Sequence, residues 1–252
     1  MSVQATSSHN WFDQGGDAYA RFRPAYPADL AGFLASLASG RDMAVDVGCG
    51  TGQLTTLLAP FFGAVIGVDP SADQLANAVA HEGVSYVRAP AERMPLPDGC
   101  ADLITVAQAA HWFDLPAFYT EARRVGGQGC VLALVSYGVM QLEPSLNERF
   151  QHFYHDEVGP YWPAERKLVD SGYATLDFPF KELQGPELSI RLDWNLEQFL
   201  GYVQTWSAVR RAREAGREGM LAAFAKEIAG SWGDQDIRRT VSWPIAMRLG
   251  RL

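Results

Sequence analysis

The residues with chemistry to offer gather around Val45-Asp46-Val47-Gly48-Cys49-Gly50-Thr51-Gly52-Gln53-Leu54, where an apolar run meets three alternate glycines with a carboxylate two positions ahead. Without a Cβ, such a backbone can turn sharply and lie flat against a ligand. A pyrophosphate-binding dinucleotide loop would space its glycines G-x-G-x-x-G and aim a helix N-terminus at the anion. Here the third glycine comes one residue early and Gln53 holds the position of the rival's last glycine. Asp46 would repel a diphosphate at short range. The arrangement favours a ligand bearing positive charge.

Further candidates follow the other apolar runs. Asp69 closes Val65-Ile66-Gly67-Val68-Asp69-Pro70, and an acceptor-only carboxylate there can take two hydroxyl protons from a sugar. Gln108-Ala109-Ala110-His111-Trp112-Phe113 follows a fourth apolar run, and His111 is its one side chain that titrates near neutrality.

The glycine segment resembles motif I of the class I S-adenosylmethionine-dependent methyltransferases, [D/E]-x-G-x-G-x-G at the end of the first strand, and the chain is similar to the methyltransferase type 11 group. The resemblance implies S-adenosylmethionine as cofactor and S-adenosylhomocysteine as product. It assigns Asp46, Gly48, Cys49, Gly50 and Gly52 to the loop, and Asp69 with Pro70 to the ribose side. Arg88-Ala89-Pro90-Ala91-Glu92-Arg93-Met94-Pro95-Leu96-Pro97-Asp98 resembles the motif that borders the adenine, often Asp-Ala-x-x-Leu-Pro-Phe. Pro90 stands at the usual acidic position, which leaves the amino contact to Glu92 or to water and a ring nitrogen to the Ala91 N–H. Gln108 is implied beside the methionine part. His111 and Trp112 either line the acceptor pocket or pack under a loop, and His111 is the candidate for a catalytic role.

Tyr19-Ala20-Arg21-Phe22-Arg23-Pro24-Ala25-Tyr26-Pro27 resembles the leading "Y-x-x-x-R-P-x-Y-P" segment of a subgroup that includes trans-aconitate methyltransferase-like proteins. Trp162-Pro163-Ala164-Glu165-Arg166 and Thr205-Trp206-Ser207 extend the likeness over most of the chain. It places Tyr19, Arg23, Tyr26, Trp162 and Arg166 near an acceptor. A guanidinium fork on Arg21, Arg23 or Arg166 matches the two oxygens of a carboxylate; a surface ion pair is the competing account of each arginine.

Alternating strand and helix signals position these groups, and they specify an α/β fold. The expected Rossmann-like, mostly parallel seven-stranded sheet has helices on both faces and an antiparallel last strand. Strands are expected at 43–47, 64–68, 84–87, 101–106 and 130–136. Ser71-Ala72-Asp73-Gln74 reads as a capping box opening a helix through Ala80, and Asp114 with Pro116 starts another through Val125. Alternation over Thr175 to Leu183 suggests a sixth strand, and 239–249 the last. The chain reads as one domain: a helical lid at 1–40, the cofactor core at 41–137, a mostly helical cap at 138–235 and the last strand at 236–252.

With 252 residues, 29 acidic against 21 basic and a formal charge of −8, the chain lacks the basic footprint of a nucleic-acid or anionic-membrane binder. Three separated cysteines, Cys49, Cys100 and Cys130, form no Cys-x-x-Cys pair and suit a reducing compartment. The small Cys49 side chain suits a tight loop. The first 16 residues have no apolar core behind a basic start, so a cytoplasmic location is expected. His152 and His155 share a helix face, but without further ligands beside them, Asp156 being read as off that face, no metal is expected. The balanced run from Val209 to Arg213 reads as a solvated face. The expected function is methyl transfer (EC 2.1.1.-) to a small molecule, with a carboxylate among the acceptors considered, by a monomer or weak homodimer. A nicotinamide oxidoreductase and a non-catalytic S-adenosylmethionine binder are the alternatives.

Overall fold

The apolar, β-branched runs form β1 (Met43–Val47), β2 (Ala64–Asp69), β3 (Val84–Arg88), β4 (Ala101–Ala107), β5 (Gly126–Tyr137), β6 (Leu188–Trp194) and β7 (Arg239–Arg251). The structure, a computed structural model, describes residues 24–252. The strands make one sheet in the order β3-β2-β1-β4-β5-β7-β6. β1 to β5 pair in parallel and β7 runs antiparallel to β5, as the sequence predicts. Parallel strands covered on both faces read as continuous apolar runs, and Val45, Ile104, Val106, Leu132 and Leu134 are all fully or almost fully buried. Strand order reverses at β1, which lies between β2 and β4. Loops leaving the carboxyl ends there open the crevice in which such sheets bind ligands.

The intervening helices are α1 (Ala28–Leu37), α2 (Gln53–Leu58), α3 (Ala72–Ala76) and α4 (Leu115–Val125). α1 buries Leu30, Ala31, Leu34 and Ala35, a stripe at helical spacing. α4 opens as expected: the Asp114 carboxylate accepts the Ala117 N–H at 3.3 Å, with a proline in the first turn. α3 is shorter than predicted and ends at Ala76. Ser71 Oγ accepts the Gln74 N–H, but the Ser71 N–H goes to Asp69 instead of the Gln74 side chain, so the box is half made. Because α3 buries none of its residues, no packing supports further turns.

The sixth strand also differs. Residues 175–183 are irregular apart from one bridge between Glu182 and Gly250, and the strand forms at Leu188–Trp194. Pro179 has no N–H for a ladder, and the Phe180 N–H turns back to the Phe178 carbonyl. Phe178 and Phe180 serve the core beside Tyr119 instead.

The chain forms two compact units. One comprises Ala25–Val139, Glu165–Ile190 and Trp243–Leu252; the other includes Met140–Ala164 and Arg191–Ser242. Residues 165–190, expected in the helical cap, thus pack with the sheet core; α6 (Arg166–Asp170) lies among them. The second unit is built from α5 (Pro144–His152), α7 (Leu196–Gln204), α8 (Ser207–Glu214) and α9 (Glu218–Trp232). Its interior is aromatic, with Phe153 and Phe224 stacked at 3.6 Å and Tyr154 edge-on to Trp206. Each such ring contributes about 1.5–3 kcal/mol by burial. A π-helical turn at Phe153–Glu157 buries the adjacent Phe153 and Tyr154 together. Among the described residues no helix is long and apolar enough to cross a membrane.

Candidate active site

The glycine segment leaves β1 and is sewn at once to β2: the N–H groups of Gly48 and Cys49 both donate to the Val68 carbonyl, at 2.7 and 3.1 Å. Gly48, Gly50 and Gly52 all have positive φ. Two of them answer to neighbours inside the protein. A Cβ on Gly48 would sit 2.4 Å from Ala109 Cβ, and one on Gly52 would sit 2.0 Å from the Tyr86 hydroxyl. Gly50 differs, since a Cβ there would meet only Gln74 Oε1 at 3.6 Å. Its missing side chain leaves a clear backbone surface for something outside the fold.

Asp69 holds that surface in shape. Its Oδ2 accepts the Gly50 N–H at 2.9 Å and its Oδ1 the Ser71 N–H at 2.8 Å. A carboxylate has about four lone-pair positions, so two remain for hydroxyl donors. Asp46 is placed differently. It is 1 % exposed and accepts Oγ1–H bonds from Thr55 at 2.6 Å and from Thr105, its register partner on β4, at 2.8 Å. Burial pushes its pKa up to about 6 against the pull of the two hydroxyls, and the Asp69 charge adds to the rise. Both Asp46 oxygens are thus engaged inside the protein. Cys49 is buried, its thiol pushed up by burial and by the two carboxylates. The Pro70 carbonyl accepts from Arg88 Nε at 3.1 Å.

The segment after β3 is clipped in place. Ala91 is buried, and Glu92 Oε1 accepts the Asp114 N–H at 2.9 Å, tying this loop to the start of α4. From α4, Glu121 accepts the Met94 N–H at 2.6 Å while Arg124 bonds Glu121, Asp98 and the carbonyls of Met94 and Leu96. The Arg124 hydrogen bonds hold the Glu121 carboxyl below its usual range against the opposing effect of burial. Neither Glu121 nor Arg124 stood out in the sequence, although acid and base three apart on a helix is a readable pairing.

Across the crevice, Gln108 follows the last residue of β4 with φ 57. Its N–H donates to the Val135 carbonyl and its Nε2 to the Tyr137 carbonyl, each at 2.9 Å. His111 Nδ1 lies 3.0 Å from the hydroxyl of Tyr173. Burial lowers the His111 pKa to about 4, the Arg166 charge lowers it further and Glu165 opposes; the imidazole is neutral at pH 7. Trp112 is 66 % exposed, its ring 4.7 Å from that of His111. Arg166 Nε donates to Asp170 at 2.8 Å. Tyr26 is buried, its ring edge-on to Tyr137 at 5.8 Å. Tyr173 and Tyr86 were not singled out by sequence. The pairing of Gly67 with Tyr86 across β2 and β3 shows what fixes the latter, and it is visible only once the strand register is known.

Tyr19, Arg21 and Arg23 lie outside the described residues. Trp162 belongs to the second unit, 5.4 Å from Trp206 and 5.3 Å from Tyr154. There too, Asp156 meets His152 at 2.8 Å, correcting its expected place off that face, because four residues bring side chains to one side of a helix. His155 bonds Gln151, and among the described residues no three His, Cys, Asp or Glu form a metal cluster.

The family described as Methyltransferase domain matches residues 45–134, from the first strand to the fifth. A Dictyostelium discoideum protein named as a methyltransferase is 34 % identical over 242 residues, covering 93 % of this chain and 92 % of that one. A solved structure from Anaeromyxobacter dehalogenans, named as a type II methyltransferase, is 44 % identical with a TM-score of 0.87, over 91 % of this chain and 98 % of that chain. A Saccharomyces cerevisiae protein named for S-adenosylmethionine-dependent methyl transfer is 30 % identical over 42 % of this chain and 40 % of its own length. The glycine loop, the strand order and these likenesses agree, and the chain belongs to the methyltransferase domain family.

Proposed function

We propose that this protein transfers a methyl group from S-adenosylmethionine to a small acceptor by in-line displacement. The observation that carries the reading is Gly50: its N–H is fixed by Asp69, and a Cβ there would meet only Gln74 Oε1, at 3.6 Å, with no clash inside the fold. These residues fit the cofactor. Gly48, Cys49, Gly50 and Gly52 would lie along it, Asp69 with Pro70 would take the ribose hydroxyls, Ala91 and Glu92 the adenine edge, and Gln108 the methionine part. Asp46 would contribute negative charge toward a cationic ligand. Bound there, the cofactor would supply an electrophilic methyl on a sulfonium.

The chain's own work is then alignment and exclusion of water, which need no nucleophilic side chain. His111, Trp112, Arg166 and Tyr26, with Tyr19 and Arg23, form the proposed acceptor side; a carboxylate suits the arginines. Calorimetry with S-adenosylmethionine, S-adenosylhomocysteine and NADH tests the cofactor. Heat with the first two and none with NADH is expected; the reverse identifies an oxidoreductase. Methyl-labelled cofactor incubated with a small-molecule extract then tests transfer, and label released as methanol by mild base marks a carboxyl ester. Binding without any S-adenosylhomocysteine release would leave only a non-catalytic binder.

A further inference from the structure

We propose that Tyr173 is a positioning residue that holds His111 as the neutral tautomer protonated on Nε2, so that His111 offers the acceptor a hydrogen-bond donor and not a base. The geometry stands by itself; its consequence for catalysis rests on the methyl-transfer reading above.

Tyr173 is fully buried, and a buried hydroxyl requires partners. Its oxygen lies 3.0 Å from His111 Nδ1. Burial raises the phenol above its ordinary range, so the hydroxyl keeps its proton near neutrality. A phenol oxygen has two lone pairs and one proton. His111 Nδ1 is the partner within reach of that proton; a buried O–H left without an acceptor is costly, so the proton goes to Nδ1, and a neutral imidazole that accepts at Nδ1 carries its hydrogen on Nε2.

The backbone supports the same arrangement. Among the described residues, Tyr173 with φ 62 and Gln108 with φ 57 are the non-glycine residues at positive φ. Gln108 begins the segment that bears His111, and Tyr173 meets that segment from residues 165–190. Such conformations are costly and persist where their surroundings over-determine them. Tyr173 is so held: its N–H donates to the Leu168 carbonyl at 2.8 Å and its carbonyl accepts from Arg248 Nη1 at 2.9 Å. The charged groups acting on His111 are Arg166 and Glu165, with the arginine's effect larger.

A donor without a base suits an acceptor that arrives deprotonated. As a carboxylate oxygen forms its bond to the methyl carbon, the carbon–sulfur bond breaks, its electron pair stays on sulfur, and no proton is released. A hydroxyl or amine acceptor would leave a proton that Nε2–H cannot take.

The test is nitrogen NMR of the full chain labelled with 15N-histidine, with and without S-adenosylhomocysteine, using His111→Gln to identify the signals. The expected wild-type spectrum shows His111 with a proton on Nε2 and Nδ1 as acceptor. Tyr173→Phe is expected to populate both tautomers and move the His111 titration toward 6.5, with S-adenosylhomocysteine affinity within about twofold. A proton on Nδ1 in the wild type overturns the proposal, and that spectrum decides even if Tyr173→Phe fails to fold. A tautomer and titration unchanged in a folded Tyr173→Phe overturn it as well. If the wild type shows the expected tautomer yet binds no S-adenosylhomocysteine, the methyl-transfer reading falls and the tautomer assignment stands.

Discussion

The two banks of the crevice are built by opposite means. The β1–β2 bank is backbone: three glycines, two N–H groups on the Val68 carbonyl and two on Asp69. The β4 bank is side chain: Gln108, His111 and Trp112, braced by Tyr173 from 62 residues further along the chain. Its half-buried ionisable group is a neutral base, whereas the glycine bank hides an acid. A surface that must accept one large ligand in one pose is served by a rigid backbone. A surface that must select an acceptor is served by side chains that can be exchanged.

The difference is sharpest at two glycines. Gly52→Ala would strain φ 86 and drive a Cβ into the Tyr86 hydroxyl, which bonds the Val79 carbonyl. It should lower stability by about 2–3 kcal/mol, read as a lower urea midpoint. Gly50→Ala has the strain without the collision; it should cost only about 1–2 kcal/mol yet abolish calorimetric binding of S-adenosylhomocysteine. Equal effects on both properties in both variants would erase the distinction between packing glycine and ligand glycine.

Next in size is a pair of opposed pH dependences. Asp46 has a raised pKa, so its stabilising contribution is present below 3.8 and lost as pH rises through about 6, a change of up to about 3 kcal/mol. His111 has a lowered pKa, so its contribution is present above 6.5 and lost as pH falls through about 4. Urea unfolding across this window should show stability rising with pH in Asp46→Asn and falling in His111→Gln. Asp69→Ala should weaken S-adenosylmethionine at least about tenfold, or about 1.4 kcal/mol, by calorimetry. The smallest expected effect belongs to Glu121→Gln, about 1 kcal/mol in unfolding free energy, because the amide still accepts from Met94 while its charge-assisted link to Arg124 weakens.

The glycine bank was legible in the sequence because its parts are consecutive or end adjacent strands: Asp46, Gly48 to Gly52 and Asp69 announce themselves by local spacing. The β4 bank was legible only in its own segment. Tyr173 and Thr105 act through contacts that no local pattern encodes, as does Glu121 toward Met94, and Tyr173 follows Gly172 in a stretch with no period. The apolar alternation of Leu176, Phe178 and Phe180 gave the signal of a strand while serving a core-filling loop, since a core rewards burial whether or not the backbone is laddered. The half-made box at Ser71 has a similar origin: its N–H was claimed by the carboxylate that shapes the glycine loop.

One aromatic ring touches two of these glycines in different ways. Gly67, on β2 opposite Tyr86, lacks a side chain because a Cβ would fall 2.7 Å from that ring and 2.9 Å from Cys49 Sγ; its backbone is that of a strand, while the φ of Gly52 is left-handed. Over evolutionary drift the two positions therefore obey different rules. Residue 67 is free to grow whenever 86 and 49 shrink, and their identities should covary across descendants. Residue 52 stays glycine whatever its neighbour becomes.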